Sequence, residues 1–171
     1  MADKVSPVPR GYRTVTPCLT VTGIDAAIEF YASAFDAEEK VRLYGADGAS
    51  IVHAELKIGN SVVFLNEEAP AHGIYSPATL GGSPTLVHLY VQDVDACWAR
   101  ALAAGAVEVM PITDTYWGDR LGKLVDPFGH VWSVASRVER VSRDEVAARA
   151  RQLCSAQWHQ EASPDLAVRA A

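Results

Sequence analysis

Little in this chain commits it to a membrane, a nucleic acid or a disulfide framework. No stretch of its 171 residues approaches the roughly 20 apolar residues that a bilayer-spanning helix needs. The start, Met-Ala-Asp-Lys-Val-Ser-Pro-Val-Pro, carries no apolar run of signal-peptide type, so a cytoplasmic protein is expected. Basic runs that track phosphates are missing and the formal net charge is −6, which argues against a nucleic-acid partner or an anionic membrane surface. Only three cysteines occur, Cys18, Cys97 and Cys154, far apart and without a CxxC pair; a reducing compartment is the simpler reading. P-loop, GxGxxG, GxSxG and HExxH motifs are all absent.

What is present is an ordinary globular composition, 49% hydrophobic and 21% charged, in a length that suits one domain or two half-size modules sharing a core. The second option is favoured by an internal repeat. At an offset of 70 residues, Leu19, Val21, Asp25, Ala26 and Ala34 fall on Leu89, Val91, Asp95, Ala96 and Ala104, Ile24 falls on Val94, and Gly59 falls on Gly129 at a later turn. Two separate places matching at one offset indicate a duplicated unit.

Local signals give each copy the same order. Residues 1–13, with two prolines and a glycine, read as a flexible arm. In the first copy (14–68), Thr14–Val21 is a strand, a helix opens at Gly23-Ile24-Asp25 with Ile24, Ala27, Ile28, Tyr31 and Ala34 at helical spacing, and strands follow near 39–44, 51–58 and 62–66. Gly59-Asn60 is a two-residue hairpin turn. A linker rich in proline and glycine spans 69–84. The second copy (85–136) places a strand at 86–91, a helix at 94–104 ended by Gly105, and strands at 107–113, 120–125 and 131–135, with Asp126-Pro127-Phe128-Gly129 turning between the last two. In the tail (137–171), Ser142-Arg143-Asp144-Glu145 is a capping box before a helix of about three turns, and the last dozen residues read as frayed. The expected fold is therefore α+β: two tandem βαβββ modules forming an eight-stranded, curved, cleft-enclosing sheet, plus a C-terminal helix.

Two runs carry a family resemblance. Ile28-Glu29-Phe30-Tyr31 with Ala34-Phe35, and Trp117-Gly118-Asp119-Arg120 followed by Gly122-Lys123-Leu124-Val125-Asp126-Pro127-Phe128-Gly129-His130-Val131-Trp132-Ser133, resemble the vicinal oxygen chelate superfamily. That group contains glyoxalase I, extradiol dioxygenases and bleomycin-resistance proteins; the second run is similar to a glyoxalase-like branch associated with phosphonate operons. The resemblance covers roughly residues 14–136. It implies a cleft for a small organic molecule and, in the metal-dependent members, one ligand from the first and one from the last strand of each copy. Carried onto this chain, those positions are Thr16, Val63, Leu86 and Ser133. Leucine and valine do not ligate a metal, and neutral serine and threonine ligate poorly, so the usual metal site is not expected and no cofactor is expected with it.

Other polar residues remain as candidates. His53 and Glu55 share one face of a strand at period two, and Ile51 and Lys57 share it with them; Val52, Ala54, Leu56 and Ile58 form the opposite, apolar face. Burial of the apolar face turns His53 and Glu55 into the cleft. The hairpin register conflicts with this, because Gly59-Asn60 puts Leu56 opposite Val63, and Val63 points into the cleft if the 70-residue offset is followed; a bulge reconciles the two. His88 and Tyr90 share a face with Leu86, and the resemblance therefore implies that both aim into the cleft, His88 as an acid, base or hydrogen-bonding group. Thr115-Tyr116-Trp117-Gly118 is an aromatic loop suited to gripping a flat ligand, the alternative being that Trp117 seals the core while Asp119 and Arg120 pair. Cys18 lies on the strand face of Thr16 and Thr20.

The expected activity is thus a glyoxalase/bleomycin-resistance-like protein binding a small organic molecule between its modules, as a homodimer. His88 and Glu55 are the candidate catalytic groups, and His53, Tyr90, Tyr116, Trp117, Arg120 and Cys18 the candidate ligand contacts. The rival is a metal-dependent lyase, isomerase or dioxygenase whose divalent metal sits at a displaced site made by His53, Glu55 and His88.

Overall fold

The computed structural model describes residues 5–154; the C-terminal stretch expected to fray lies outside the described residues. The element order follows the duplicated pattern. The first module comprises β1 (Cys18–Val21), α1 (Ile24–Phe35), β2 (Glu38–Tyr44), β3 (Ile51–Ile58) and β4 (Ser61–Glu67). A short helix α2 (Pro77–Leu80) lies in the linker. The second module comprises β5 (Leu86–Tyr90), α3 (Val94–Ala103), β6 (Val107–Asp114), β7 (Asp119–Val125) and β8 (Val131–Arg137), and α4 (Arg143–Cys154) follows. Two tandem βαβββ modules and a C-terminal helix are present, with the eight strands divided into two four-stranded sheets ordered β1-β4-β3-β2 and β5-β8-β7-β6.

The first strand is shorter than the β-rich run from Thr14 suggests. Pro17 has no N–H to offer a ladder, although its carbonyl still accepts from Phe64 N at 2.9 Å, so regular pairing begins at Cys18. Helix α1 starts on Gly23, which has no side chain to cap it; the Glu67 carboxylate at the end of β4 supplies the cap, accepting from Gly23 N and Ile24 N at 2.8 and 3.1 Å. Helix α3 is capped locally, Asp93 accepting from Ala96 N. In the tail, Ser142 caps α4, its Oγ accepting from Glu145 N at 3.2 Å, while the Glu145 carboxylate accepts from Arg149 Nε at 2.8 Å.

One core joins the modules, and helices α1 and α3 pack against each other within it. Leu19, Val21, Ala54, Leu56, Val63 and Leu65 of the first sheet and Leu124, Trp132 and Val134 of the second close on those helices. Phe30 and Tyr31 of α1 meet Phe128, and Tyr31 and Phe35 meet Trp132. Trp98 of α3 lies over Gly122, where an added Cβ would fall 2.7 Å from the indole ring. Burial pushes the Cys97 thiol up to about 11, as befits a small core residue.

Asp126 ties this core together. Its Oδ1 accepts from Phe128 N and His130 N, and its Oδ2 from Tyr31 Oη at 2.6 Å and Trp132 Nε1 at 2.8 Å. His130 is buried and its Nε2 lies 2.9 Å from the carbonyl of Thr20. The Asp126–Trp132 run thus builds the contact between the modules: the turn of one is hydrogen-bonded to a helix and a strand of the other.

Candidate functional site

With both inner faces committed to the helices, the other face of each sheet is turned outward. On the first sheet the deciding feature is the register of the β3–β4 hairpin, which runs without a bulge from His53↔Asn66 to Ile58↔Ser61 and pairs Leu56 with Val63. Val63 therefore faces the helices with Leu56 and is buried, whereas His53, Glu55, Phe64 and Asn66 share the outward face. Val63 is corrected as the last-strand position of the first copy. In parallel pairing Cys18 meets Phe64 and its counterpart His88 meets Ser133, so Phe64 is the structural equivalent of Ser133. The offset slips by one residue here because the two-residue turn of the first copy is replaced by the longer Asp126–His130 turn in the second. A slip of one residue exchanges the faces of a strand. Val52 also departs from the expected apolar face: it is exposed, at the register irregularity between Leu43 and Tyr44 of β2.

The outward face of the first sheet carries a connected polar cluster. His53 Nδ1 lies 2.7 Å from Asn66 Oδ1, and Asn66 Nδ2 donates to Cys18 Sγ at 3.0 Å. The Asn66 oxygen can only accept, so Nδ1 carries the proton, and in the neutral ring Nε2 is an acceptor. It faces Glu55 Oε1 at 3.7 Å, beyond hydrogen-bond length. Glu55 Oε2 accepts from the Tyr12 hydroxyl, and Tyr12 and His53 both set ring edges against Phe64, with centroids 6.0 and 5.2 Å away. The Tyr12 phenol is held above its ordinary pKa, first by that hydrogen bond to Glu55. Partial burial raises the Cys18 thiol, which keeps it a neutral group rather than a nucleophile at neutral pH.

The outward face of the second sheet centres on Asp119, a residue whose neighbours in sequence gave no sign of its surroundings. It is buried; Oδ2 accepts from Tyr90 Oη at 2.7 Å and Trp117 Nε1 at 2.9 Å, while Oδ1 lies 3.6 Å from Arg137 Nε and has no hydrogen-bond partner among the described residues. Donation to Asp119 is the first cause of the raised Tyr90 pKa, with burial second. His88 lies against Tyr90, ring edge to face at 4.6 Å, and Tyr116 meets Trp117 at 4.7 Å. The reading of Trp117 as a core seal with an Asp119–Arg120 pair does not describe this arrangement. Arg120 points to the helix side, where it grips Asp95 of α3 at 2.8 Å and Asp114 at 3.1 Å, away from the face that carries Tyr90 and Trp117.

A cavity of about 780 Å³ opens where the modules meet. Its apolar lining includes Phe35, Cys97 and Trp132, and its polar lining includes His88, Tyr90 and Lys57. Of the sequence candidates, His88 and Tyr90 line this cavity, His53, Glu55 and Cys18 gather on the first sheet, and Trp117 joins Tyr90 through Asp119. His53 and Glu55 are not brought to His88, and among the described residues no three His, Cys, Asp or Glu side chains are placed to hold one metal ion. The displaced site is thereby corrected: its members stand on different sheets. The usual positions also fit no metal. Phe64, which takes the position expected of Val63, and Leu86 carry no donor atom, Ser133 is a buried neutral hydroxyl, and the Thr16 hydroxyl donates to the carbonyl of Arg13.

Two groups of contacts were missed in the sequence. Phe64 and Asn66 stand at period two opposite Glu55 and His53, and the hairpin turn alone locates them once its register is followed. Tyr12 is a single aromatic in a proline- and glycine-containing arm. No local signal marks its partner.

This fold and arrangement define a protein of paired βαβββ modules with a cavity at their junction. A family model described as the Glyoxalase/Bleomycin resistance protein/Dioxygenase superfamily matches residues 13–134, and the chain belongs to that family. An uncharacterised protein of Mycobacterium tuberculosis is 44% identical over 137 residues, spanning 78% of this chain and 80% of its own. Among solved structures, TioX from Micromonospora sp. ML1 is 25% identical, with a TM-score of 0.58 over 76% of this chain and 100% of its own. An Arabidopsis thaliana gene product is 29% identical, with the same TM-score over 72% and 98%. FosX, the fosfomycin resistance protein of Listeria monocytogenes, solved with Mn(II) and a dihydroxypropylphosphonic acid, is 17% identical, with a TM-score of 0.56 over 79% and 94%. At that identity it shares the fold alone.

Among the described residues, no helix is long and apolar enough to cross a membrane.

Proposed function

We propose that this chain is a binding protein of the glyoxalase and bleomycin-resistance type, holding a small organic molecule in the cavity between its modules without the metal that the catalytic members use. The observation that carries the reading is the cavity itself. Its volume of about 780 Å³ suits a drug-sized ligand, and the half-buried Val87, Leu89 and Val91 offer apolar surface while His88 and Tyr90 offer a few polar contacts. Tyr90 is held in place through Asp119, so an aromatic ligand in the cavity meets a ring whose orientation is already set. The donor set supports binding over metal chemistry, since Leu86 and Phe64 have no donor atom and Thr16 and Ser133 have only neutral hydroxyls where ligating side chains are needed. We read the protein as a cytoplasmic homodimer: Cys18 and Cys97 are free thiols, and edge strand β5 leaves one side of its backbone without a ladder partner beside exposed Leu86 and Tyr90.

A thermal-shift screen of aromatic and glutathione-like compounds, followed by calorimetric titration of the best hit, tests this. Saturable binding that is insensitive to chelator and weakened about tenfold by His88→Ala or Tyr90→Phe is expected, the loss of roughly one hydrogen bond to the ligand. Affinity indifferent to both substitutions, or abolished by chelator, would overturn it.

A further inference from the structure

The first sheet's outward face already holds an aromatic guest, and that guest belongs to the chain itself. Tyr12 comes from the arm before β1, a segment without helix or strand from residue 5 to Pro17. Among the described residues, its hydroxyl makes the side-chain hydrogen bond that ties the arm to a sheet. The groups that receive it make a complete recognition set for a phenol. Phe64 packs its ring at a steep angle to that of Tyr12, Glu55 Oε2 accepts the hydrogen bond from the hydroxyl, and His53, locked by Asn66, stands beside the same carboxylate. None of these four side chains is required by the core: they stand on the outward face, while Ala54, Leu56, Val63 and Leu65 carry the packing.

We propose that Tyr12 is an internal pseudo-ligand: the face formed by His53, Glu55, Phe64 and Asn66 is a binding subsite for a hydroxyaryl group, which the arm fills in the free chain and which an external phenol takes by displacing the arm. The phenol hydroxyl donates to Glu55 and its ring replaces that of Tyr12 against Phe64. No bond is made or broken beyond this exchange of one hydrogen bond for another. Because the arm is tethered close by, Tyr12 competes at an effective concentration of order millimolar, so the resting chain takes an external phenol weakly and the arm sets a threshold for occupancy.

The subsite stands apart from the cavity, and its test reads it separately. N-acetyltyrosinamide and N-acetylphenylalaninamide, which differ by the hydroxyl alone, are titrated by NMR shift perturbation or calorimetry into the full chain, Tyr12→Ala, Tyr12→Phe and Tyr12→Ala/Glu55→Gln. Tyr12 is on a non-core arm, and matching melting temperatures check that the variants fold. The expected result is binding of the tyrosine amide at least tenfold tighter to Tyr12→Ala than to the unaltered chain, with Tyr12→Phe between them. The phenylalanine amide is expected to bind at least tenfold more weakly than the tyrosine amide, and Glu55→Gln to erase that preference. Equal binding of the two amides, no binding to Tyr12→Ala, or no change on removing Tyr12 would each overturn the proposal. His88→Ala is expected to leave these titrations unmoved, so their failure and failure of the cavity reading are separately visible.

Discussion

Asp126 is one carboxylate with four donors, two from its own turn and two from rings that the fold brings together across the module boundary. Replacing it by asparagine turns one pair of those donors toward an NH2 group, leaving buried N–H and O–H groups unpaired. Asp126→Asn is expected to lower unfolding free energy by roughly 3–5 kcal/mol, read from urea denaturation midpoints. Tyr31 gives a pH signature of the same contact. Burial, then the nearby Asp126 charge and the hydrogen bond to it, hold its phenol well above the ordinary 10.0. A folded-state pKa raised above the unfolded one means that the stabilisation is fully present below about pH 10 and is lost as pH rises through the folded-state value. Stability should therefore decline in strongly alkaline solution, and Tyr31→Phe, though about 2 kcal/mol less stable at neutral pH, should show a shallower decline. Residue-scale reading from the sequence identified Asp126-Pro127-Phe128-Gly129 as a turn between strands. It did not identify the carboxylate as the junction, because Tyr31 lies 95 residues away.

At the scale of elements, period-two alternation located β3 from Ile51 to Ile58 and separated His53 and Glu55 from the apolar face that includes Leu56. Burial of the apolar face already sent Leu56 toward the helices and His53 and Glu55 away from them. The Gly59-Asn60 turn decided the face of Val63: with no bulge it pairs Val63 with Leu56 and so sends Val63 inward too. The same reasoning applies where α3 crosses β7. Gly122 lets the Trp98 ring lie on the strand backbone, and a methyl group there would also come within 3.0 Å of the Met110 carbonyl. Gly122→Ala is expected to lower stability by about 1–3 kcal/mol through forced displacement of Trp98, seen as a lower melting temperature and altered tryptophan fluorescence.

At the scale of the whole molecule, packing α1 against α3 in a core shared by both sheets gives each sheet one covered face and one outward face. The outward surface retains Leu43, Tyr44, Val52, Leu86 and Tyr90, all large and well exposed. Light scattering after size exclusion should report a dimer at micromolar concentration, and Leu86→Glu should shift it to monomer without changing the far-UV circular dichroism; a monomer at all concentrations would count against the homodimer.

The sequence by itself determined the duplicated βαβββ pattern, the helix spacings and the poverty of metal-ligating side chains at the family's positions, because each of these rests on residues near one another or on their chemical type. Tertiary structure alone decided the rest. It set the one-residue slip that puts Phe64 rather than Val63 opposite Cys18, turned Arg120 toward Asp95 and Asp114, gathered Tyr90 and Trp117 on Asp119, and laid Tyr12 over Glu55. Each depends on strand register or on contacts between distant residues, and local periodicity fixes an alternation without fixing its direction.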